Sequence, residues 1–370
     1  MRRGKLSSIP LGVNTRGVHL EGIRFGGYSG GMFEVTDRAR EIHADSVVVD
    51  WHNDALLEKR LFGYDFLKRH EPIRWLRSPV TRHSDLPRSL GNVTCFGFGI
   101  VPNPLARDPW EGLMVQVREF DRLRAADDRL VFTDTSDAIR QVHREGKLGG
   151  FLGIEGAHGF GGKLERVAEL ESLGVRYVTL AHFNTNDFAP AAQGWKADND
   201  APLSARGYAL LEALADARVI IDLAHVGRRA YMDAARWCKA RGVPAIVSHT
   251  AACAVCPSNR AVTDEQIRAV ADTGGVVGVI FCPGFLSKKL IDDIDCLLPH
   301  MRHIRDVMGT DGLALGSDFD GWIATLPRYL QDVTDMPAVT QLMLQDGWPE
   351  RDIRAALGEN LLRVIDAVRG

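Results

Sequence analysis

Apolar runs with the length and composition of buried β-strands recur along this chain, and helical stretches separate most of them. The strand-like runs are residues 47–54, 92–100, 149–155, 175–182, 219–225, 245–249, 276–282 and 313–318. The clearest helical stretches are residues 113–124, 163–173, 205–217, 228–241, 264–272 and 290–308. Because strands that alternate with helices form parallel sheets, these eight units predict a closed (β/α)8 barrel of the TIM type, in the α/β class.

The two ends of the chain differ from this repeating part. Residues 1–34 are rich in Gly, Arg and Ser and lack a sustained period, which predicts an N-terminal extension. Residues 35–370 are expected to form one domain, since a chain of 370 residues is ordinary for an α/β barrel. That domain should begin with a short helix capped by Thr36 or Asp37 and end in helical structure over residues 350–369.

The composition is that of an ordinary globular protein, with 45% hydrophobic and 25% charged residues. A net charge of −3 gives no attraction to nucleic acids or acidic membranes, so neither is an expected partner. No apolar run follows the N-terminal arginines, and none is long enough to span a bilayer, which predicts a cytoplasmic location. The six cysteines are scattered, which predicts free thiols rather than a disulfide framework.

The first strand-like run ends in the motif Asp50-Trp51-His52-Asn53-Asp54. Since successive strand side chains point to opposite faces, Asp50, His52 and Asp54 should share one face. Trp51 should then point to the other face, toward the helix layer. An imidazole and a carboxylate two residues apart at a strand end can bind one metal ion together. The structural alternative is a strand that runs into a polar turn, with Asp54 as the cap of the next helix.

Similar side chains follow most of the other strands, at the end where barrel enzymes place their active sites. They are Glu155, His182, His225, His249 and Asp318. Each alone has a structural explanation, such as a satisfied core histidine, a helix cap or a loop charge. Together with His52 and Asp54 they would repel one another without cations, and such a set suits zinc or a similar divalent ion. It exceeds the needs of one tetrahedral zinc, which favours two ions about 3.5–4 Å apart.

Seven short motifs occur in a characteristic order. They are DWHND at 50–54, GIEGAH at 153–158, LAHFNTND at 180–187, DLAH at 222–225, SHTAACAVCPSNR at 248–260, GSDFDG at 316–321 and GENLLRV at 358–364. In this order they resemble the renal (membrane) dipeptidase family, a branch of the amidohydrolase superfamily. The resemblance implies a zinc-dependent dipeptidase that cleaves dipeptides with a free C-terminal carboxylate, C-terminal D-residues included. The nucleophile would be a hydroxide that bridges two Zn²⁺ ions.

The resemblance also implies a ligand set for the two ions. His52 and Asp54 would bind the first zinc. His225 and His249 would bind the second, and Glu155 would bridge both. The expected partner is a small dipeptide substrate, and a homodimer is a further expectation.

Three other residues are implied to act on the substrate. His182 would polarise the scissile carbonyl and stabilise its oxyanion. Asp318 would move a proton from the bridging water to the leaving amine, a task that suits a carboxylate beside the ions. Arg260 would bind the terminal carboxylate with its planar fork. The structural alternative for Arg260 is a surface ion pair with Asp264.

Two other functions fit the same residues. The first is an amidohydrolase-type enzyme on the same barrel that cleaves N-acyl amino acids or lactones. The His-x-His usual on the first strand of that superfamily is replaced here by His52-x-Asp54, which favours the dipeptidase branch. The second is a barrel without activity that binds a carboxylate ligand. The intact metal-binding and proton-transfer positions argue against it.

Overall fold

The computed structural model describes residues 33–71, 82–323 and 325–370. The predicted extension lies almost wholly outside these residues. Glu34–Gly370 form one compact unit.

The described residues include nine parallel β-strands. They are β1 Val49–Asn53, β2 Cys95–Ile100, β3 Leu130–Phe132, β4 Leu148–Glu155, β5 Val175–Thr179, β6 Ile220–Asp222, β7 Ala245–Thr250, β8 Val276–Val279 and β9 Leu313–Leu315. Eight of them close a ring in the order β1-β2-β4-β5-β6-β7-β8-β9, and β9 pairs with β1. The ninth, β3, pairs with the first residues of β4 outside the ring. The predicted (β/α)8 barrel is confirmed.

Helices surround this barrel. They are α1 Asp37–Ala44, α2 Ala55–Phe62, α3 Leu86–Ser89, α4 Pro109–Ala126, α5 Ser136–Arg144, α6 Ala205–Asp216, α7 Arg228–Arg241, α8 Asp264–Ala271, α9 Pro283–Leu286, α10 Leu298–Met308, α11 Pro337–Gln345, α12 Glu350–Arg354 and α13 Asn360–Arg369. Thr36 caps α1, since its Oγ1 accepts from the Ala39 amide at 3.2 Å. In the part of the chain that the structure describes, no helix is both long and apolar enough to cross a bilayer.

Two predicted helices differ from the observed ones. The stretch 163–173 contains only a 3-10 helix, Leu164–Glu169. The residue before it is Lys163, whose side chain cannot accept from the first amides as a capping residue would. The stretch 290–308 becomes α-helical only at Leu298. Pro299 explains the late start, because proline lacks the amide that a preceding helical turn would need and is favoured at the first positions of a helix.

The C-terminal helices close the amino end of the barrel. Four residues of α13 pack into the same buried cluster as inward-facing strand residues. They are Leu361, Leu362, Val364 and Ile365. Asn360 Nδ2 donates to the carbonyl oxygens of Thr310 and Leu313 at 2.7 and 2.8 Å, which ties the start of α13 to the start of β9. The carboxyl ends of the strands are therefore the open end of the barrel.

The predicted orientation of Trp51 is wrong. Its ring packs on Phe151 and Tyr177, with centroids 5.1 and 5.7 Å away, and all three belong to the buried cluster of strand residues. The reason is an irregularity in β1, where the register with β2 shifts between Asp50 and Asn53. An extra residue in a strand breaks the strict alternation of faces, so Trp51 and the neighbouring histidine both face the barrel interior.

Candidate metal centre

Four histidine rings converge on one carboxylate oxygen at the open end of the barrel. Glu155 ends β4 and is buried, and its Oε1 lies 3.1 Å from Nε2 of His225. The Nε2 atoms of His52, His182 and His249 each lie 3.5 Å from the same oxygen. These five side chains lie in or just after five different strands, near their carboxyl ends, so the barrel brings them together although they are far apart in sequence.

Two aspartates extend the cluster on one side. Asp54 Oδ1 lies 3.6 Å from Nε2 of His52, and Asp318 Oδ1 lies 4.0 Å from it. His52 Nε2 and Asp54 Oδ1 are buried and have no hydrogen-bond partner among the described residues. Asp54 precedes α2, yet its side chain caps no amide of that helix. Because buried polar atoms are nearly always satisfied, this pair fits atoms that ligate a cation.

Three groups of side chains in the described ranges have ligand atoms close enough to share a metal ion. They are His52–Glu155–His249, Glu155–His182–His225 and His52–Asp54–Asp318. All five predicted ligands belong to these groups, and Glu155 and His52 each belong to two of them. The groups also include His182 and Asp318, which were predicted to act on the substrate.

The charges of this cluster are buried against one another and shift its pKa values. Burial opposes the charged form of His52, but the carboxylates of Glu155 and Asp54 outweigh it and raise the pKa of His52 to about 10. Burial raises the pKa of Asp318 to about 7, although His52 opposes this. Burial lowers the pKa of His249 well below its usual value, so this ring is neutral, the form that binds metals. The carboxylates thus favour a positive charge beside them, which a proton on His52 or a metal ion can supply.

A hydrogen-bonded chain fixes the ring of His249. Ser248 Oγ donates to Asp222 Oδ2 at 2.6 Å and lies 2.9 Å from His249 Nδ1. Since the hydroxyl proton goes to the carboxylate, Ser248 Oγ accepts from Nδ1–H, and the lone pair of His249 remains on Nε2, toward Glu155. Thr179 Oγ1 also donates to Asp222, at 2.6 Å. The sequence analysis included Asp222 and Ser248 in motifs but assigned them no function.

Tyr177 contacts Nδ1 of His52, as Ser248 contacts Nδ1 of His249. Tyr177 is fully buried, and its hydroxyl oxygen lies 2.8 Å from His52 Nδ1. Two glycines make room for these groups. A Cβ on Gly153 would lie 1.8 Å from the Tyr177 ring, and one on Gly99 would lie 2.1 Å from Asp54 Oδ1. Sequence reasoning missed both Tyr177 and Gly99. An inward-facing glycine beside ligand-bearing strands was the available signal.

Four of the candidate residues that the predicted strands included lie beyond the observed strands: Asp54, His182, His225 and Asp318. β5 ends at Thr179 and β9 at Leu315, so His182 and Asp318 follow their strands by a few residues. His225 likewise lies beyond β6. His225 and Asp318 both have a φ of 62°, a left-handed conformation that is uncommon outside glycine and concentrates at functional sites. The predicted strands were too long because they were extended to include these residues.

Arg260 points into the site rather than to the surface. It is 5% exposed, and its Nη2 donates to the His249 carbonyl oxygen at 2.8 Å and lies 3.0 Å from Nε2 of His225. Asp264, the partner in the structural alternative, instead contacts His303 at 2.6 Å. Arg260 is therefore a buried guanidinium beside the metal-binding cluster.

A cavity of about 600 Å³ opens over the cluster. It is lined by the following residues: Asp54, Leu57, Arg60, Leu61, Val101, Pro102, Asn103, Pro104, Glu155, His182, Phe183, Asn184, His225, Arg260, Cys282, Phe285, Asp318, Gly321, Trp322 and Ile323. The walls are mainly apolar, and most of the charged groups of the lining converge at the ligand cluster, which is typical of a site for a small polar substrate.

Comparison with known proteins agrees with this geometry. The family model described as Membrane dipeptidase (Peptidase family M19) matches residues 36–370. A crystal structure of dipeptidase AC, a metallo peptidase of family M19, is 26% identical, covers 87% of this chain and 98% of that chain, and has a TM-score of 0.77.

Two further solved structures are similar. A metallo peptidase from Rhodobacter sphaeroides, liganded with a phosphinate mimic of the dipeptide L-Ala-D-Ala, is 26% identical over 88% of this chain and 100% of that chain, with a TM-score of 0.76. The probable dipeptidase PvdM from Pseudomonas aeruginosa is 18% identical over 90% of this chain and 98% of that chain, with a TM-score of 0.80, and so shares the fold. The chain belongs to the membrane dipeptidase family of metal-dependent hydrolases.

Proposed function

We propose that this enzyme is a dinuclear zinc dipeptidase that hydrolyses the peptide bond of dipeptides with a free C-terminal carboxylate. The observation that carries the proposal is the convergence of four imidazole Nε2 atoms on Glu155 Oε1, in a cavity that also contains the buried Arg260. The family supports dipeptide hydrolysis, and the donor set supports a pair of divalent ions.

The proposed ligands are those at the strand ends. His52 and Asp54 hold one zinc, and His225 and His249 hold the other. Glu155 contributes to both. Imidazole and carboxylate donors suit zinc, and the unsatisfied atoms of His52 and Asp54 support the first position. When bound, such a pair of ions supplies Lewis acidity and a hydroxide nucleophile near neutral pH.

The side chains around the ions bind the dipeptide and move its protons. Arg260 binds the terminal carboxylate and so positions only the last peptide bond over the cluster. Asp318, 4.0 Å from His52, accepts the proton of the attacking water and delivers it to the leaving amine. Burial lowers the pKa of His182, so this ring is neutral and donates its N–H to the developing oxyanion.

A C-terminal D-residue should also be accepted. The support is the Rhodobacter sphaeroides metallo peptidase, which is similar over its whole length and is liganded with a mimic of L-Ala-D-Ala. The homodimer and the cytoplasmic location stay predictions from sequence.

The test combines metal analysis with a substrate panel. Protein purified without chelator and reconstituted with zinc should contain two ions per chain and hydrolyse L,L and L,D dipeptides. N-acetyl amino acids and lactones, tested alongside, represent the alternative hydrolase. One ion or fewer per chain would contradict the bridged site, and faster cleavage of N-acetyl amino acids than of dipeptides would favour the alternative.

A further inference from the structure

A second arginine lines the cavity, outside the ligand cluster. Arg60 lies in the last turn of α2, the helix that begins directly after Asp54. It is half-buried, and its Nη1 donates to the carbonyl oxygen of Val101, which follows β2. One of its five N–H donors is thus used, and the rest of a rigid, permanently charged fork remains available at the cavity wall.

No carboxylate of the described residues forms an ion pair with Arg60. Burial lowers the pKa of Arg60, and the charge of the Asp54 carboxylate opposes this shift. The adjacent Lys59 differs, since its Nζ lies 3.9 Å from Glu119 outside the cavity. Two buried arginines away from the cavity are paired, Arg88 with Asp85 at 2.7 Å and Arg176 with Asp134 at 3.0 Å. A half-buried guanidinium that faces a substrate cavity and has no ion-pair partner in the described part of the chain points to an anionic group on the substrate.

The two cavity arginines lie on opposite sides of the barrel. Arg60 is anchored at the end of β2, through Val101, and Arg260 at the end of β7, through His249. Four strand-to-strand steps separate β2 from β7 in either direction around the ring. The cluster around Glu155 lies between them. A dipeptide whose C-terminal carboxylate is bound at Arg260 therefore extends its N-terminal residue toward the side of Arg60.

The apolar wall around Arg60 would strengthen an ion pair between this arginine and an anionic group of the substrate. Leu57 and Leu61 come from the same helix, and Val101, Pro102 and Pro104 come from the loop after β2. Apolar surroundings lower the local dielectric constant, so opposite charges attract more strongly than in water. A neutral side chain would leave the arginine fork desolvated and without a charged partner.

We propose that Arg60 forms a subsite for an acidic side chain on the N-terminal residue of the dipeptide, so that the preferred substrates begin with glutamate or aspartate. This rests on the proposed dipeptidase function and on the terminal carboxylate at Arg260. The competing explanation is that Arg60 only ties α2 to the loop after β2 through Val101. That explanation predicts an effect on stability and on all substrates alike.

The experiment compares L-Glu-L-Ala with L-Gln-L-Ala, which have nearly the same shape and differ in one charge. For the zinc-loaded wild type, kcat/KM should be roughly tenfold to hundredfold higher for the glutamyl dipeptide, the size expected for a hydrogen bond to a charged group. Arg60→Met should reduce this ratio to about one, and Arg60→Lys should keep part of it, because lysine retains the charge but not the fork. Lys59→Met, the matched loss of charge one residue away, should keep the wild-type ratio.

A wild-type ratio near one would overturn the subsite, as would a ratio that survives in Arg60→Met. If Arg60→Met does not fold, the Arg60→Lys ratio decides: a lowered ratio supports the subsite and an unchanged one overturns it. If neither dipeptide is hydrolysed, the proposed function fails, and calorimetric titration of the same two peptides still decides. A Kd ratio that disappears with Arg60 supports the subsite, and equal Kd values in the wild type overturn it.

Discussion

The two sides of the metal centre are built from opposite kinds of side chain. On the side of β1 and β9, Asp54 and Asp318 place carboxylates within 4.0 Å of His52 Nε2. On the side of β5, β6 and β7, the candidate ligands are imidazoles, and Arg260 lies among them. Glu155 stands between the two sides. A dipeptide has a positive amine at one end and a negative carboxylate at the other, so this asymmetry would set the direction in which it binds.

The two sides also differ in how they are supported. Each has a buried aspartate that accepts from a serine on the neighbouring strand end. Asp50 accepts from Ser317 Oγ at 2.6 Å, and Asp222 accepts from Ser248 Oγ at 2.6 Å. Only the pair of Asp222 and Ser248 also contacts the ring of a candidate ligand, because Ser248 Oγ lies 2.9 Å from His249 Nδ1. On the carboxylate side, that function falls to a tyrosine. The same arrangement of an aspartate and a serine at adjacent strand ends can therefore have two functions. At β7 it orients the ring of a ligand directly, and at β9 it orients only the backbone beside one.

The largest effect should come from breaking the link between the two sides. Glu155→Gln replaces the shared carboxylate by a neutral amide, so the protein should lose both ions after zinc reconstitution and hydrolysis should become undetectable. His249→Ala is the matched comparison, since it should weaken mainly the ion on the imidazole side. Elemental analysis and a dipeptide assay measure both. A full pair of ions with normal turnover in Glu155→Gln would show that this residue does not bridge.

The next effect separates catalysis from binding on the carboxylate side. Asp318→Asn should keep its metals and lose ~10²–10⁴ in kcat, the usual cost of removing a proton-transfer group. Asp320→Asn is the control, because Asp320 accepts from the backbone amides of His83 and Ser84 at 2.6 and 3.2 Å. That change should lower the melting temperature instead. Normal turnover in Asp318→Asn would assign Asp318 to the structure of its loop.

A smaller effect tests the cationic side. Arg260→Ala should lower kcat/KM for free dipeptides. The loss should correspond to roughly 1.5–3 kcal/mol of transition-state stabilisation, the range for a hydrogen bond to a charged group. C-terminally amidated dipeptides should be poor substrates of the wild type and lose little more in the variant, because they lack the charge that Arg260 binds. The measurement is kcat/KM for both enzymes with both substrates. Equal losses on the two substrates would mean that Arg260 does not bind the terminal carboxylate.

The smallest effect compares the two supports. Ser248→Ala should lower the affinity for the ion on the imidazole side by about 10–100-fold, because it leaves Nδ1–H of His249 without its partner. Tyr177→Phe should lower the affinity for the ion on the carboxylate side by a similar factor, because it does the same to His52. Chelator titration that resolves two binding steps measures this. Tyr231→Phe is the control, because that buried hydroxyl contacts the Gln266 carbonyl oxygen away from the ligands. Equal weakening of both ions by either variant would remove the distinction between the supports.

The barrel was predictable because its strands are buried on both faces and therefore appear as continuous apolar runs. All eight predicted runs overlap a ring strand, and the helix predicted at 228–241 has the observed bounds. The residues at which the strands end were less predictable. At residues 219–225 the run suggested a strand reaching His225, but β6 stops at Asp222 and the histidine adopts a left-handed conformation. Such a conformation depends on the surrounding loops, and no local pattern marks it.

By itself, the sequence determined which residue types arrive at one end of the barrel. Histidine and carboxylate at most of the predicted strand ends indicated a site for divalent metal ions, because these groups have few other reasons to be buried together. The resemblance of the seven motifs to the membrane dipeptidase family then implied a metal-dependent hydrolase of dipeptides, with Arg260 on the substrate carboxylate. The tertiary structure alone decided which atoms meet. The irregularity at Trp51, the hydroxyl of Tyr177 on His52, and the bond of Arg60 to the Val101 carbonyl oxygen at the cavity wall depend on contacts between distant segments. Local periodicity carries information about faces and ends, whereas contacts across a closed barrel depend on the register and on the side-chain volumes of every strand in the ring.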